Sequence, residues 1–252
     1  AKRKRYALME YNFKSHEGLY TDMNAIRAAE EPDNTHSFYV DQWDWELIID
    51  KEDRTEAYLK HVVNIIYRTM KSLDEYLCGL IPTRTKLLKD QIRFITSEEL
   101  LLKYPDKTPK ERERLATKEY GAIFLSQIGT ILSDGNKHDN RAPDYDDWLL
   151  NGDIIVYNPV LDDALELSSM GIRVDSKRLN EQLKQSDNLD RLKYDYHSLL
   201  LDDKLPQTVG GGIGQSRLCM FFLQKAHIGE VQVSYWPDDQ RRTLANKGIQ
   251  LL

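Results

Sequence analysis

The chain has 252 residues, of which 40% are hydrophobic and 30% are charged, and its formal net charge is −6 at neutral pH. This composition suits one large globular domain or two small ones and argues against an extensive nucleic-acid surface, but it leaves room for a local basic pocket. No apolar stretch approaches the roughly 20 residues of a membrane span, and the charged start lacks the apolar run of a signal peptide. Cys78 and Cys219 lie in apolar contexts, which predicts buried free thiols and a reducing, cytoplasmic location.

The first part of the chain predicts a hairpin followed by a long helix. Residues 18–27 and 36–49 each mix β-forming and polar residues, and a polar loop separates them. On the second strand, the alternation places Gln42 and Asp44 on one face. Apolar residues then recur at helical spacing from residue 53 to about residue 79, which is typical of an amphipathic helix.

The next helix has recognisable signals at both ends. After a strand pattern at 90–97, Thr108 and Glu111 have the spacing of a capping box. Pro109 occupies the first helical position, where its missing N–H costs nothing. Gly121 is placed to end the helix.

The remaining elements are mostly strands. β-like runs cover 122–129, 152–160 and 164–175, helical patterns cover 176–188 and 191–203, and a glycine-rich strand precedes a last helix. Strands joined by hairpins, with helices between groups of strands, predict an α+β fold whose mainly antiparallel sheet is flanked by helices. This order differs from the repeating βαβ units of a Rossmann domain.

Four glycines lie in the stretch GGGIGQSR, residues 210–217. Gly210, Gly212 and Gly214 recur with a period of two, so on a strand they would form a flat strip without side chains. A planar nucleotide base could lie on this strip, with Arg217 near the start of the following helix. The stretch fits neither the dinucleotide-binding fingerprint nor a P-loop. The alternative is a strand edge or bulge softened by glycine.

Charged residues within strand patterns are further candidates for a site. Asp153 precedes one apolar run and Glu166 interrupts another, so on neighbouring strands their carboxylates could bind Mg²⁺ together with phosphate oxygens. The alternative is that each carboxylate faces water at a strand end. Arg173 could bind a carboxylate with both arms of its guanidinium. The acidic loop at 141–148 is either solvated or binds an amino group or an ammonium ion.

Several stretches together resemble one enzyme family. The glycine motif is similar to the third signature motif of class II aminoacyl-tRNA synthetases, and the hairpin with Arg27 is similar to their second. SHEGLYTDMNAIR, YVDQWDWE, LSDGNKHDNRAPDYDDW, NGDIIVYNPVLDDALELSSMGIRVD and PQTVGGGIGQSRL resemble ammonia-dependent asparagine synthetase of the A type. The resemblance covers nearly the whole chain and implies one synthetase-like catalytic domain over residues 1–252.

The resemblance also implies a reaction, its ligands and the residues that bind them. The β-carboxylate of aspartate would attack the α-phosphate of ATP, pyrophosphate would leave, and ammonia would then displace AMP. The implied catalytic residues are Arg27, Asp44 and Asp146. The implied binding groups are Arg27, Gly210, Gly212, Gly214 and Arg217 for ATP; Asp153 and Glu166 for Mg²⁺; Lys4 and Arg173 for the aspartate carboxylates; Gln42 and Asp44 for its amino group or the ammonium; and Asp146 as a second candidate for the ammonium.

Family members carry two segments that have no counterpart in this sequence, and several alternative identities are open. Family members begin with several dozen further residues that form a dimer interface, so we expect a homodimer in the full protein, without nucleic-acid or membrane partners. They also carry a short stretch between the positions of Trp148 and Leu149, which predicts a missing loop there. The alternatives are a fragment of an aspartyl- or asparaginyl-tRNA synthetase, a non-catalytic paralogue, and an amide ligase for another amino acid.

Overall fold

The computed structural model describes residues 2–252, and over this range seven strands form one sheet. The strands are β1 (Gly18–Ile26), β2 (Tyr39–Ile48), β3 (Arg93–Thr96), β4 (Ala122–Ser126), β5 (Asp146–Asn158), β6 (Asp163–Arg173) and β7 (Thr208–Gly214). Their order across the sheet is β1-β2-β7-β6-β5-β4-β3, and neighbours are antiparallel except β3 and β4. The predicted α+β class with a mainly antiparallel sheet is therefore confirmed.

Helices connect the strands and pack on the sheet. Within residues 2–252 the α-helices are α1 (Lys2–Glu10), α2 (Glu56–Leu80), α3 (Ser97–Lys103), α4 (Pro109–Tyr120), α5 (Ser176–Gln185), α6 (Asp195–Leu201), α7 (Gln215–Phe222) and α8 (Asp238–Asn246). Short 3₁₀ helices cover Lys51–Asp53, Leu189–Lys193 and Ile228–Glu230. In the part of the chain that the structure describes, no helix combines the length and the apolar character needed to cross a membrane.

The apolar core lies on both faces of β4. Side chains alternate in direction along a strand, so Ala122 and Phe124 join a cluster with α2, whereas Ile123 and Leu125 join one with α3 and α4. Full burial of one such large side chain contributes roughly 1.5–3 kcal/mol. Towards β2 and β7, one face of the sheet carries polar residues instead, and a cavity opens there.

The helix signals around α4 are confirmed in detail. The Thr108 side chain accepts a hydrogen bond from the Glu111 N–H, and the Glu111 carboxylate accepts one from the Thr108 N–H at 2.8 Å. Pro109 is the first residue of the helix, and Gly121 ends it with φ of 82°. This left-handed conformation favours glycine because a side chain would be strained there.

The prediction that both cysteines are buried is wrong. Cys219 is exposed and Cys78 is half-buried, although both thiols are free as expected. On α7 the neighbouring Leu218, Met220 and Phe221 turn into the core, so the helical period carries Cys219 outwards. An apolar sequence context is therefore insufficient to bury every member of a short helix.

Trp148 and Leu149, between which a missing loop was expected, are consecutive residues of β5. The pairing of β5 with β6 shifts between Asp146, which lies opposite Arg173, and Asn151, which lies opposite Gly171. Residues 147–150 therefore bulge out of the β5–β6 pairing. Within this bulge, the Leu149 N–H donates a hydrogen bond to the Asp147 carboxylate at 2.9 Å. The β5–β6 pairing is thus irregular at the position where a further loop is predicted in the full protein, and that loop stays a prediction.

Candidate active site

A cavity of about 510 Å³ lies over the polar face of β2, β7 and β6. Nine of the twelve predicted site residues line this cavity: Arg27, Gln42, Asp44, Asp146, Glu166, Arg173, Gly212, Gly214 and Arg217. The other three, Lys4, Gly210 and Asp153, do not line it but contact residues that do. Residues from β2, β6 and β7, which are neighbours in the sheet but distant in sequence, thus meet in one cavity.

The register of the sheet explains the period of two in the glycine stretch. It pairs three polar residues of β2 with three glycines of β7: Gln42 with Gly214, Asp44 with Gly212, and Glu46 with Gly210. Directly opposed residues on antiparallel strands have side chains close together. The glycines therefore give polar side chains of β2 the space that side chains on β7 would otherwise occupy.

The three glycines differ in how much space they leave. A Cβ on Gly210 would meet the Glu46 carboxylate, Arg173 Nη2 at 2.5 Å and the Trp45 carbonyl oxygen at 2.6 Å. A Cβ on Gly212 would lie 3.0 Å from Gln42 Oε1, and the nearest atom for one on Gly214 would be 3.6 Å away. Gly210 is therefore the position where a side chain is least tolerable.

At one end of the cavity, which we call the closed end, Asp44, Asp146 and Arg173 line the wall. Lys4 and Glu46 lie behind them and complete a buried ionic network. Arg173 donates from Nε and Nη2 to the two carboxylate oxygens of Glu46, at 2.9 and 2.8 Å, and from Nη1 to Asp146. Lys4 Nζ lies 2.8 Å from Asp44 Oδ2 and 4.0 Å from Glu46 Oε2. A dense set of fixed charges of this kind suits the binding of a small zwitterion.

Burial affects the two acids that contact Arg173 in opposite ways. At Asp146, burial raises the pKa above its usual value, even though the Arg173 guanidinium opposes the shift. At Glu46, burial also favours the neutral acid, but the charge and hydrogen bonds of Arg173 and the Thr208 hydroxyl outweigh it and lower the pKa. Glu46 is therefore held as a carboxylate, whereas Asp146 takes up a proton more readily.

The opposite end, which we call the open end, carries two arginines, the exposed Arg27 and the partly buried Arg217, whose side chain is 22% exposed. Arg27 directly follows β1, its side chain is 54% exposed, and its Nη1 lies 3.3 Å from Glu30. Arg217, in the first turn of α7, donates from Nε to the Thr35 carbonyl at 3.2 Å and lies 3.9 Å from the Glu166 carboxylate. Both guanidinium groups are thus within reach of an anion that enters the cavity.

The two predicted metal ligands lie on neighbouring strands, as the sequence interpretation required, but one is engaged by a cation. Arg141 donates to Asp153 from Nη2 and to the Ser169 hydroxyl from Nη1 at 3.3 Å. Asp153 Oδ1 is buried and has no hydrogen-bond partner among the described residues. Burial and the nearby Glu166 carboxylate raise the pKa of Asp153 to about 7. Two hard oxygen donors with an unsatisfied buried oxygen fit a divalent cation such as Mg²⁺.

Sequence reasoning missed two site residues, Glu46 and Arg141. Glu46 continues the alternation that had already placed Gln42 and Asp44 on one face of β2, so the period alone could have found it. Arg141 was visible only as the first residue of the acidic loop 141–148. Its pairing with Asp153 depends on how that loop folds back over β5, which no local pattern reveals.

Comparison with known proteins gives concordant matches. Residues 1–248 match the family described as "Aspartate-ammonia ligase". Proteins named aspartate–ammonia ligase from Fusobacterium nucleatum and Clostridium tetani are 58% and 56% identical over 252 residues, which is all of this chain and 77% and 74% of theirs. A namesake from Bacillus cytotoxicus is 57% identical over 251 residues and is covered over 77% of its length.

Solved structures with a similar fold are class II synthetases. An aspartyl-tRNA synthetase from Entamoeba histolytica superposes with a TM-score of 0.65 at 15% identity, over 92% of this chain and 49% of that one. An asparaginyl-tRNA synthetase from the same organism, in complex with asparaginyl-adenylate, gives 0.62 at 16% identity, over 90% and 53%. The chain thus spans about half the length of these synthetases, and the likeness concerns the fold.

Proposed function

This chain belongs to the aspartate–ammonia ligase family, whose members are carbon–nitrogen ligases, and on that premise we propose how it makes L-asparagine. The substrates are L-aspartate, ammonia and ATP, the intermediate is β-aspartyl-AMP, and the other products are AMP and pyrophosphate. The observation that carries the proposal is one cavity with a buried ionic network at one end and two arginines, Arg27 and Arg217, at the other.

The open end suits the activation step. A carboxylate is a poor electrophile, and adenylation gives it AMP as a leaving group. Negative charge builds at the α-phosphate as the aspartate β-carboxylate attacks and pyrophosphate leaves, so fixed cations stabilise that transition state. We assign Arg27 to the α-phosphate and the attacking carboxylate, and Arg217 to the distal phosphates. Gly212 and Gly214 leave space against β7 for the nucleoside.

The closed end suits aspartate. Lys4 and Arg173 supply two buried cations for the substrate carboxylates, and Gln42 and Asp44 supply acceptors for its ammonium group. Arg173 uses three of its five N–H groups on Glu46 and Asp146, so one N–H on each terminal nitrogen stays available. A buried site of fixed charges selects a small polar ligand because any uncompensated group there is costly.

Ammonium binding requires a carboxylate that can also accept a proton. Asp44 and Asp146 both line the cavity, and we assign the proton transfer to Asp146. Burial raises the pKa of Asp146 above its usual value, which favours the uptake of a proton from ammonium. Once NH₄⁺ has lost its proton, neutral ammonia attacks the β-carbonyl carbon, and the C–O bond to AMP breaks.

We place Mg²⁺ at Asp153 and Glu166, whose oxygen donors fit it. When bound, the ion neutralises phosphate charge as a Lewis acid. Arg141 must then share or release Asp153, because the two cations compete for one carboxylate. We further propose, from the family relationship, that the full-length protein is a homodimer and that residues 1–252 act as a single catalytic domain.

Two alternatives make different predictions. A fragment of a tRNA synthetase would charge tRNA, yet the family match extends over residues 1–248, whereas the synthetases share only 15% and 16% identity with the chain. A non-catalytic paralogue would be expected to lack the arginines or the acidic pair. Arg27, Arg217, Asp153 and Glu166 are all present.

The proposed function is tested by following asparagine and AMP from aspartate, ATP and ammonium chloride. We expect equal amounts of the two products with ammonium, and little asparagine when glutamine replaces it, because glutamine must first be hydrolysed. Formation of ADP, equal use of glutamine by pure protein, or charging of added tRNA without asparagine formation would each contradict the proposal.

A further inference from the structure

Glu46 is the most deeply buried acid in the closed end. It is 1% exposed, and its carboxylate accepts from Arg173 Nε and Nη2 and from the Thr208 hydroxyl at 2.7 Å. Because these groups hold it out of solvent, it cannot act as a surface counterion. Its partner Arg173 is equally buried, with the guanidinium 3.8 Å from the centre of the Tyr145 ring.

These contacts fix the plane of the Arg173 guanidinium before any ligand enters. The two parallel bonds to Glu46 determine its orientation, and the Tyr145 ring restricts its tilt. The remaining N–H groups, one on each terminal nitrogen, then have a set direction. A cation held in this way loses little further freedom when it binds a carboxylate, which strengthens binding.

We infer that Glu46 is a positioning residue for the aspartate end of the site, and that Gly210 is required to make room for its ion pair with Arg173. This inference rests on the proposed function and deepens it. It moves Gly210, predicted to bind ATP, to the aspartate end, while Gly212 and Gly214 stay with the nucleotide. The glycine stretch therefore serves both substrates, one at each end.

The space around the glycines supports this division. A Cβ on Gly210 would contact both partners of the ion pair and a backbone carbonyl, whereas one on Gly212 would mainly contact the end of the Gln42 side chain. Side-chain ends can shift, but a backbone carbonyl in a ladder cannot do so cheaply. Gly210→Ala should therefore displace Arg173, whereas Gly214→Ala, whose Cβ would have no atom nearer than 3.6 Å, should leave Arg173 in place.

A purely structural role for Glu46 makes a different prediction. If Glu46 only neutralised a buried arginine, its loss would lower stability without distinguishing the two substrates. Asp74 offers a matched control, since it forms a buried ion pair with Arg84 at 2.6 Å, and Arg84, unlike Arg173, does not line the cavity. Asp74→Asn should therefore cost stability and leave both KM values unchanged.

The test measures KM for aspartate and for ATP in Glu46→Gln, which keeps the size of the side chain but removes its charge. We expect the aspartate KM to rise at least about tenfold, equivalent to roughly 1.4 kcal/mol, while the ATP KM changes less than about twofold. Calorimetry with aspartate alone should show the same loss of affinity. Gly210→Ala should behave like Glu46→Gln, whereas Gly214→Ala should leave the aspartate KM unchanged, because its Cβ would have no atom nearer than 3.6 Å.

Equal rises in both KM values, or a fall in unfolding temperature with an unchanged aspartate KM, would overturn the inference. If Glu46→Gln and Gly210→Ala both fail to fold while Gly214→Ala folds, the role of Glu46 is structural and the inference is also wrong. Assays of the wild-type protein distinguish a failure of this inference from a failure of the proposed function. Asparagine formation by wild type with an unaltered aspartate KM in the variants would refute only the positioning role.

Discussion

The two ends of the cavity are organised in opposite ways. At the closed end, Arg173 and Glu46 are each 1% exposed and already joined by two hydrogen bonds. At the open end, the Arg27 side chain is 54% exposed and its contact with Glu30 is a single one at 3.3 Å. Under the proposed function, the first end is organised before aspartate binds, whereas the exposed Arg27 at the second end can reorient towards the phosphates of ATP.

This difference has a physical consequence for selectivity and stability. A buried network rejects ligands that leave one of its charges unpaired, and breaking it destabilises the whole protein. Exposed ion pairs contribute little to stability and rearrange easily. Substitutions at the closed end should therefore alter both folding and aspartate binding, and those at the open end should alter catalysis alone.

The largest effect is expected from Arg173→Gln. It leaves the buried carboxylates of Glu46 and Asp146 without their cation, and removing one partner of such a pair costs about 3–5 kcal/mol. Chemical denaturation should show a loss of about that size, and asparagine formation should fall below detection. A variant of wild-type stability would contradict the view that the closed end forms a cooperative network.

Arg27→Lys should separate catalysis from stability. Lysine keeps the charge but cannot bridge two oxygens with a planar fork. Pyrophosphate release should fall at least about tenfold, which corresponds to roughly 1.4 kcal/mol of transition-state stabilisation. The unfolding temperature should stay at the wild-type value because the side chain is largely in solvent. A wild-type rate of pyrophosphate release would refute the role of Arg27.

The sequence revealed the open end more completely than the closed end. The period-two glycines, the hairpin and Arg27 are local features, and the pairing of β1 with β2 confirms the predicted hairpin. Local patterns missed α1, since it is stabilised partly by Arg5, which donates to the carbonyls of Val174 and Pro206 at 2.8 and 2.7 Å. Hydrophobic periodicity cannot predict a helix whose buried face includes a charged side chain that is hydrogen-bonded to backbone carbonyls distant in sequence.

The same limit applies to charged partners at the site. Arg173 and Glu46 were both visible as strand residues, but the hydrogen bonds that join them span 127 positions of sequence. Their pairing follows from the sheet order β2-β7-β6, which places β7 and its glycines between them. The order of strands in the sheet is a property of the folded chain, and local sequence patterns do not reveal it.

Mg²⁺ binding should depend on pH through Asp153. Its pKa is raised to about 7, so the carboxylate is mostly protonated below that pH and mostly ionised above it, and only the ionised form attracts a cation. Mg²⁺ affinity measured by calorimetry should rise up to about tenfold between about pH 6 and pH 8. Asp153→Asn should bind weakly with no such rise, and the same pH dependence in that variant would assign it to another group.

The smallest effect is expected from Glu30→Gln at the open end. The Arg27–Glu30 contact is exposed, so its loss should change the free energy of unfolding by less than about 0.5 kcal/mol. Denaturation midpoints of the two proteins should coincide. A loss as large as that in Arg173→Gln would show that the open end is as tightly integrated as the closed end.

The central claim is that the cavity joins the β-carboxylate of aspartate, held at the closed end, to the α-phosphate of ATP, held at the open end. The most direct test uses aspartate whose β-carboxylate oxygens are both ¹⁸O, with mass analysis of the products. One ¹⁸O should appear in AMP and the other should stay in asparagine, because the C–O bond breaks when ammonia attacks. Label in inorganic phosphate with formation of ADP, or unlabelled AMP, would contradict the account.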